Sequence, residues 1–127
     1  MDLRTPTKIG QRFNSPLLQV SETQGYDHNY IVNGKPGSLR DAAHAYCEGT
    51  GISMRNGTTM PGLQFYTANY LVENSLGKAG CKYGPHHGFC FEAQQVPDAP
   101  NHPGFPSAVL KAGSIFNHTT TFLFFAK

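Results

Sequence analysis

The sequence predicts an all-β fold. Glycine and proline are plentiful at 14 and 9, and six tyrosines and nine phenylalanines supply bulk that suits a pleated surface. No stretch carries a convincing amphipathic helix period. The run Gly88-Phe89-Cys90-Phe91-Glu92-Ala93-Gln94-Gln95 alternates as a strand does: Phe89, Phe91 and Ala93 face one side, and Cys90, Glu92 and Gln94 face the other. A chain of 127 residues is one domain at most and buries only a modest core.

In chain order, residues 1–10 are an extended segment braked by Pro6. Residues 17–20 suit either a short strand or a turn of helix. Residues 39–47 and 51–56 read as two strands, linked by the turn chemistry of Glu48-Gly49-Thr50-Gly51. Asn56-Gly57 reads as another tight turn. Residues 64–71 read as a strand, with Gln64, Tyr66, Ala68 and Tyr70 on one face and Phe65, Thr67, Asn69 and Leu71 on the other. Leu76-Gly77-Lys78-Ala79-Gly80 is a glycine-rich turn without the spacing of a phosphate-cradling loop. Residues 87–94 form the central strand. Pro97, Pro100, Pro103 and Pro106 then rule out helix and demand an ordered coil. Residues 118–126 read as a final strand, an aggregation liability if left unpaired.

Charge and cysteine usage narrow the function classes. A net charge of +2 without a Lys/Arg cluster gives no case for nucleic acid or an anionic membrane. The first residues lack the apolar core of a secretory signal, and the longest apolar run, residues 122–126, is far too short to span a bilayer. Cys47, Cys81 and Cys90 are odd in number and lack framework spacing, which favours a reducing compartment. A soluble cytoplasmic protein is expected. Cys81, His86, His87 and Cys90 are zinc-type ligands within ten residues, but they lack the paired Cys-x2-4-Cys or His-x3-5-His spacing, so no metal site is assigned.

The motifs carry a more specific message. Gly88-Phe89-Cys90-Phe91-Glu92-x-Gln94-x-x-Pro97-Asp98-Ala99-x-Asn101-x-Pro103-x-Phe105-Pro106-Ser107 closely resembles the C-terminal signature of the aldose 1-epimerases, or galactose mutarotases. Tyr26-Asp27-His28-Asn29-Tyr30 and Pro61-Gly62-x-Gln64-Phe65-Tyr66-Thr67-x-Asn69 resemble two further elements of that family. The opening Asp2-Leu3-x-x-Pro6-x-x-Ile9-Gly10 resembles an element that lies mid-chain in the family, often after a methionine. The resemblance therefore implies that residues 1–127 are the C-terminal part of such a domain. The implied fold is a partial, incomplete antiparallel β-sandwich of the galactose mutarotase-like supersandwich type, with open sheet edges. It also implies a strand over residues 40–46, where local propensity alone admits a helix.

By the same resemblance the activity is interconversion of the α and β anomers of a free aldohexose, with no cofactor. Glu92 matches the family's base, which takes the proton of the anomeric hydroxyl. A strand supplies its rigidity, and Phe89, Phe91 and Phe105 are expected to desolvate it partly. Without the motif, a mid-strand glutamate reads more readily as a solvated outward residue. Asp27 and Gln64 match sugar-contacting positions: a carboxylate accepts from two adjacent hydroxyls, and an amide donates to one and accepts from the next. Taken alone, Asp27 reads more readily as a turn cap that bonds only backbone amides. Tyr66 can offer its ring to the sugar's C–H surface or pack in the core. The family's acid histidine belongs to its N-terminal half, which has no counterpart here. The chain is thus expected to be poorly active alone, and to bind sugar without turnover, to self-associate, or to pair with a separate N-terminal half.

Overall fold

The computed structural model describes residues 1–126, apart from the side chains of Leu18 and Gln19. Eight strands dominate it: β1 (Asp27–Ile31), β2 (Arg40–Tyr46), β3 (Ile52–Thr58), β4 (Gly62–Tyr66), β5 (Ser75–Leu76), β6 (Lys82–Tyr83), β7 (Cys90–Gln94) and β8 (Thr120–Ala126). They form sheets of order β1-β4-β7, β2-β3-β8 and β5-β6. Among the described residues, helical structure is confined to the six-residue α1 (Leu18–Thr23) and 3-10 turns at Ile9–Arg12, Lys78–Gly80 and Ala99–Asn101. The all-β expectation is met.

The chain divides into two compact units, one made of Met1–His28 with Phe65–Cys90 and the other of Asn29–Gln64 with Phe91–Lys127. In the first unit Tyr26 and Val20 are fully buried, with Phe65 and Ala68 nearly so. The rings of Phe65 and Phe13 lie 4.8 and 6.3 Å from that of Tyr26. Aromatic edges and faces at these separations add attraction beyond the area they bury. Helix α1 resolves the ambiguity of residues 17–20. It stops where Gln24 turns left-handed at φ 56° and donates its N–H back to the Val20 carbonyl.

In the second unit β2, β3 and β8 pair antiparallel, from Tyr46↔Ser53 to Arg40↔Thr58 and from Ile52↔Ala126 to Thr58↔Thr120. Ala42 is an extra residue in β2, where the register slips between Asp41 and Ala43. The β2–β3 link turns as expected: Gly51 adopts φ 69° and donates to the Cys47 carbonyl at 2.8 Å. Ladder pairing thus overrides the helical propensity of residues 40–46. Strand β8 lies at the end of its sheet, and Phe122, Leu123 and Phe124 remain 49–63% exposed.

Three expectations need correction. The strand foreseen over residues 64–71 ends at Tyr66, because Thr67 and Asn69 spend their side chains on the Tyr26 backbone and Ala68 turns to φ 53°. Such side-chain bonds draw the backbone out of the ladder. Asn56-Gly57 is no turn; it lies inside β3, and Gly57 is needed because a Cβ there would sit 2.8 Å from Thr121 Oγ1. The central strand begins at Cys90 rather than 87, after His86 takes φ 63° and His87 closes a turn onto the Gly84 carbonyl. Strand β1 lies where the sequence predicts no strand.

Candidate functional site

Within the second unit, β7 presents Glu92 and Gln94 on one side, since alternate residues of a strand share a face. The Gln94 amide nitrogen donates to Gln64 Oε1 at 3.4 Å and to Asn29 Oδ1 at 3.3 Å. Gln64 therefore lies on the same sheet face as Glu92. The intervening residue of β4, Leu63, points the other way and is 4% exposed. Two residues before Gln64, Gly62 makes room for this arrangement: a Cβ there would come within 2.5 Å of Asn29 Oδ1. Glu92 itself is exposed, so the desolvation expected from neighbouring phenylalanines is not realised. Its carboxylate is accessible rather than sealed in hydrocarbon.

Asp27 and Tyr66 belong to the first unit. Asp27 is half-buried and opens β1; its backbone N–H donates to His28 Nδ1 at 2.9 Å. The preceding residue is pinned from both ends. The Tyr26 N–H donates to Thr67 Oγ1 at 2.9 Å, and the Tyr26 carbonyl accepts from Asn69 Nδ2 at 2.9 Å and from the Thr67 N–H at 3.0 Å. Thr67 Oγ1 also donates to Asn69 Oδ1 at 2.6 Å. These bonds explain physically why two motifs some forty residues apart belong together: Thr67 and Asn69 hold the backbone from which Asp27 projects. Tyr66 is half-buried, so it is not a core residue. Its hydroxyl accepts the Tyr70 N–H at 3.1 Å, and its ring lies nearly parallel to that of Tyr70 at 6.1 Å.

His86 and His102 have other occupations. His86 Nδ1 donates to the Thr67 carbonyl at 3.0 Å while its ring packs on Phe13 at 4.3 Å. His102 Nε2 pairs with Asp98 at 3.0 Å on the surface. Among the described residues no three His, Cys, Asp or Glu side chains gather as a metal centre would need. No helix among them is long and apolar enough to cross a membrane.

Comparison with known proteins decides the family. Residues 1–123 match the family model described as aldose 1-epimerase. The chain belongs to the aldose 1-epimerase family. It is 42% identical to galactose mutarotase from Bos taurus over 123 residues, which is 97% of this chain and 34% of the relative. It is 30% identical to aldose 1-epimerase from Escherichia coli over 128 residues, 99% of this chain and 36% of the relative. A GalM/aldose epimerase homologue from C. elegans shares the fold at a TM-score of 0.64, with 24% identity, over 80% of this chain and 30% of that one. The chain thus spans about a third of the length of the aldose 1-epimerases it matches.

Sequence reasoning assigned Glu92, Gln64, Asp27 and Tyr66 but passed over Asn29 and Gln94. Both stand inside the quoted motifs, and Gln94 shares the alternation of Glu92. Their contact joins residues 65 apart in the chain and becomes visible only with strand order.

Proposed function

We propose that this chain carries the base and part of the sugar cradle of an aldose 1-epimerase acting on a free aldohexose. Glu92 removes the proton of the C1 hydroxyl while an acid protonates the ring oxygen. The ring opens, the C1–C2 bond rotates, and closure from the other face returns the proton and yields the opposite anomer. Proton transfer by a positioned group is worth roughly 10²–10⁴ in rate. Gln64 and Asp27 hold sugar hydroxyls, as donor or acceptor amide and as acceptor carboxylate. Tyr66 offers its ring face to the sugar's C–H surface. The single observation that supports this best is the contact of Gln94 with Gln64, because it puts the proposed base and a proposed sugar ligand on one sheet face.

The acid is the part that this chain does not supply. By the family resemblance it belongs to the N-terminal half of an aldose 1-epimerase, and the chain matches about a third of such a protein's length. Turnover therefore needs that half, as a separate partner or otherwise, whereas sugar binding does not. The exposed thiols of Cys47, Cys81 and Cys90, which form no disulfide among the described residues, suit a cytoplasmic setting. Polarimetry of freshly dissolved α-D-galactose tests the division of labour. The chain alone is expected to leave the buffer rate unchanged. Mutarotation well above buffer, abolished by Glu92→Gln, would show the chain to be complete in itself and overturn the need for an outside acid. Saturable galactose binding without turnover fits the cradle described here, and its absence would remove the sugar-binding role.

A further inference from the structure

We infer that Gln94 is a positioning residue of the sugar site, locking the Gln64 and Asn29 amides so that Gln64 meets substrate as a donor and Asn29 joins the site. A glutamine amide is nearly symmetric in shape, so packing alone barely selects which end faces a ligand; a neighbouring donor or acceptor does. The Gln94 amide nitrogen has two hydrogens and faces two carbonyl oxygens, Gln64 Oε1 at 3.4 Å and Asn29 Oδ1 at 3.3 Å. Turning Gln94 over would set its own carbonyl against both of theirs. Reversal of any one of the three amides therefore loses at least one of these two bonds.

An independent feature of the backbone supports the arrangement. Gly62, two residues before Gln64 on the same face of β4, has no Cβ where one would approach Asn29 Oδ1 to 2.5 Å. The glycine leaves the space that the Asn29 carbonyl occupies. The chemical consequence is complementarity. Glu92 and Asp27, as carboxylates, only accept from sugar hydroxyl hydrogens. A hydroxyl oxygen also needs a donor, and an amide whose carbonyl is engaged by Gln94 supplies its N–H groups to that end. The relevance to substrate rests on the proposed sugar-binding role, whereas the hold of Gln94 on the two amides does not.

The test uses the full chain, ¹⁵N-labelled, with backbone spectra to verify folding. Without sugar, Gln94→Met is expected to move the side-chain NH₂ signals of both Gln64 and Asn29. Gln94→Glu is expected to move them in the opposite sense, as both amides turn to donate to the new carboxylate. Gly62→Ala should move the Asn29 pair. Unmoved Gln64 and Asn29 signals in both Gln94 variants would overturn the inference. In a D-galactose titration, the wild-type Gln64 NH₂ signals are expected to shift, and Gln94→Met to weaken binding roughly tenfold. Equal affinity in Gln94→Met would overturn the positioning role. A wild-type chain that binds no galactose would defeat the proposed function instead, and the sugar-free spectra would still decide whether Gln94 holds the two amides.

Discussion

Replacing Thr67 by valine keeps the shape of the side chain and removes its hydroxyl. Thr67 is 1% exposed, and its hydroxyl both accepts the Tyr26 N–H at 2.9 Å and donates to Asn69 Oδ1 at 2.6 Å. Tyr26 and Asn69 are 0% and 3% exposed, so neither group gains water in exchange. A buried donor or acceptor left unmet costs about 1–3 kcal/mol, which puts Thr67→Val at about 2–4 kcal/mol once partial relaxation is allowed. Thr67→Ser keeps the hydroxyl and loses one methyl group, costing about 1 kcal/mol. The expected order of stability is therefore wild type, then serine, then valine, the reverse of what hydrophobic burial alone would give. Urea unfolding followed by circular dichroism measures the order, and exchange of the Tyr26 amide should quicken in the valine variant only. A valine variant as stable as the serine variant would refute the claim that this network pins the backbone before Asp27.

Three further outcomes are expected. Gly57→Ala should destabilise by about 1–3 kcal/mol in urea unfolding, because the new Cβ meets Thr121 Oγ1 at 2.8 Å and the Arg40 carbonyl at 3.3 Å inside a paired strand. A hydrogen bond from Thr50 pulls the exposed Cys47 thiol below the usual range, so thiolate forms at lower pH. Thr50→Ala should move the pH profile of Cys47 alkylation to higher pH, as read by peptide mass spectrometry. Edge strand β8, with Phe122, Leu123 and Phe124 exposed, should drive concentration-dependent self-association in sedimentation velocity, reduced by Phe124→Lys.

Strands whose side chains alternate or whose links carry turn residues were legible from the sequence. Residues 40–46, 52–58, 90–94 and 120–126 all lie within or near their expected spans. Strand β1 was not, because Asp27-His28-Asn29-Tyr30-Ile31 lacks apolar alternation; only Ile31 is aliphatic, and it is exposed. Thr67 and Asn69 misled for a related reason. Both tolerate a strand by position, but their side chains compete for backbone partners, and that choice depends on where Tyr26 lies. Gly57 carried the same letters as a turn and served close strand packing instead. Of the proposed sugar-contacting residues, Glu92, Gln64 and Asp27 stand out through family motifs rather than through periodicity. The amide row through Gln94 and Asn29 depends on sheet order β1-β4-β7, which no local pattern encodes.

Grafting tests the role of Glu92 most directly. This chain is put in place of the matched third of the bovine galactose mutarotase, and the mutarotation rate of α-D-galactose is compared between that chimera and its Glu92→Gln form. A folded chimera that turns over galactose and loses at least about 100-fold on the glutamine change is the predicted result. An active chimera whose rate is indifferent to Glu92→Gln would contradict the assignment of the base.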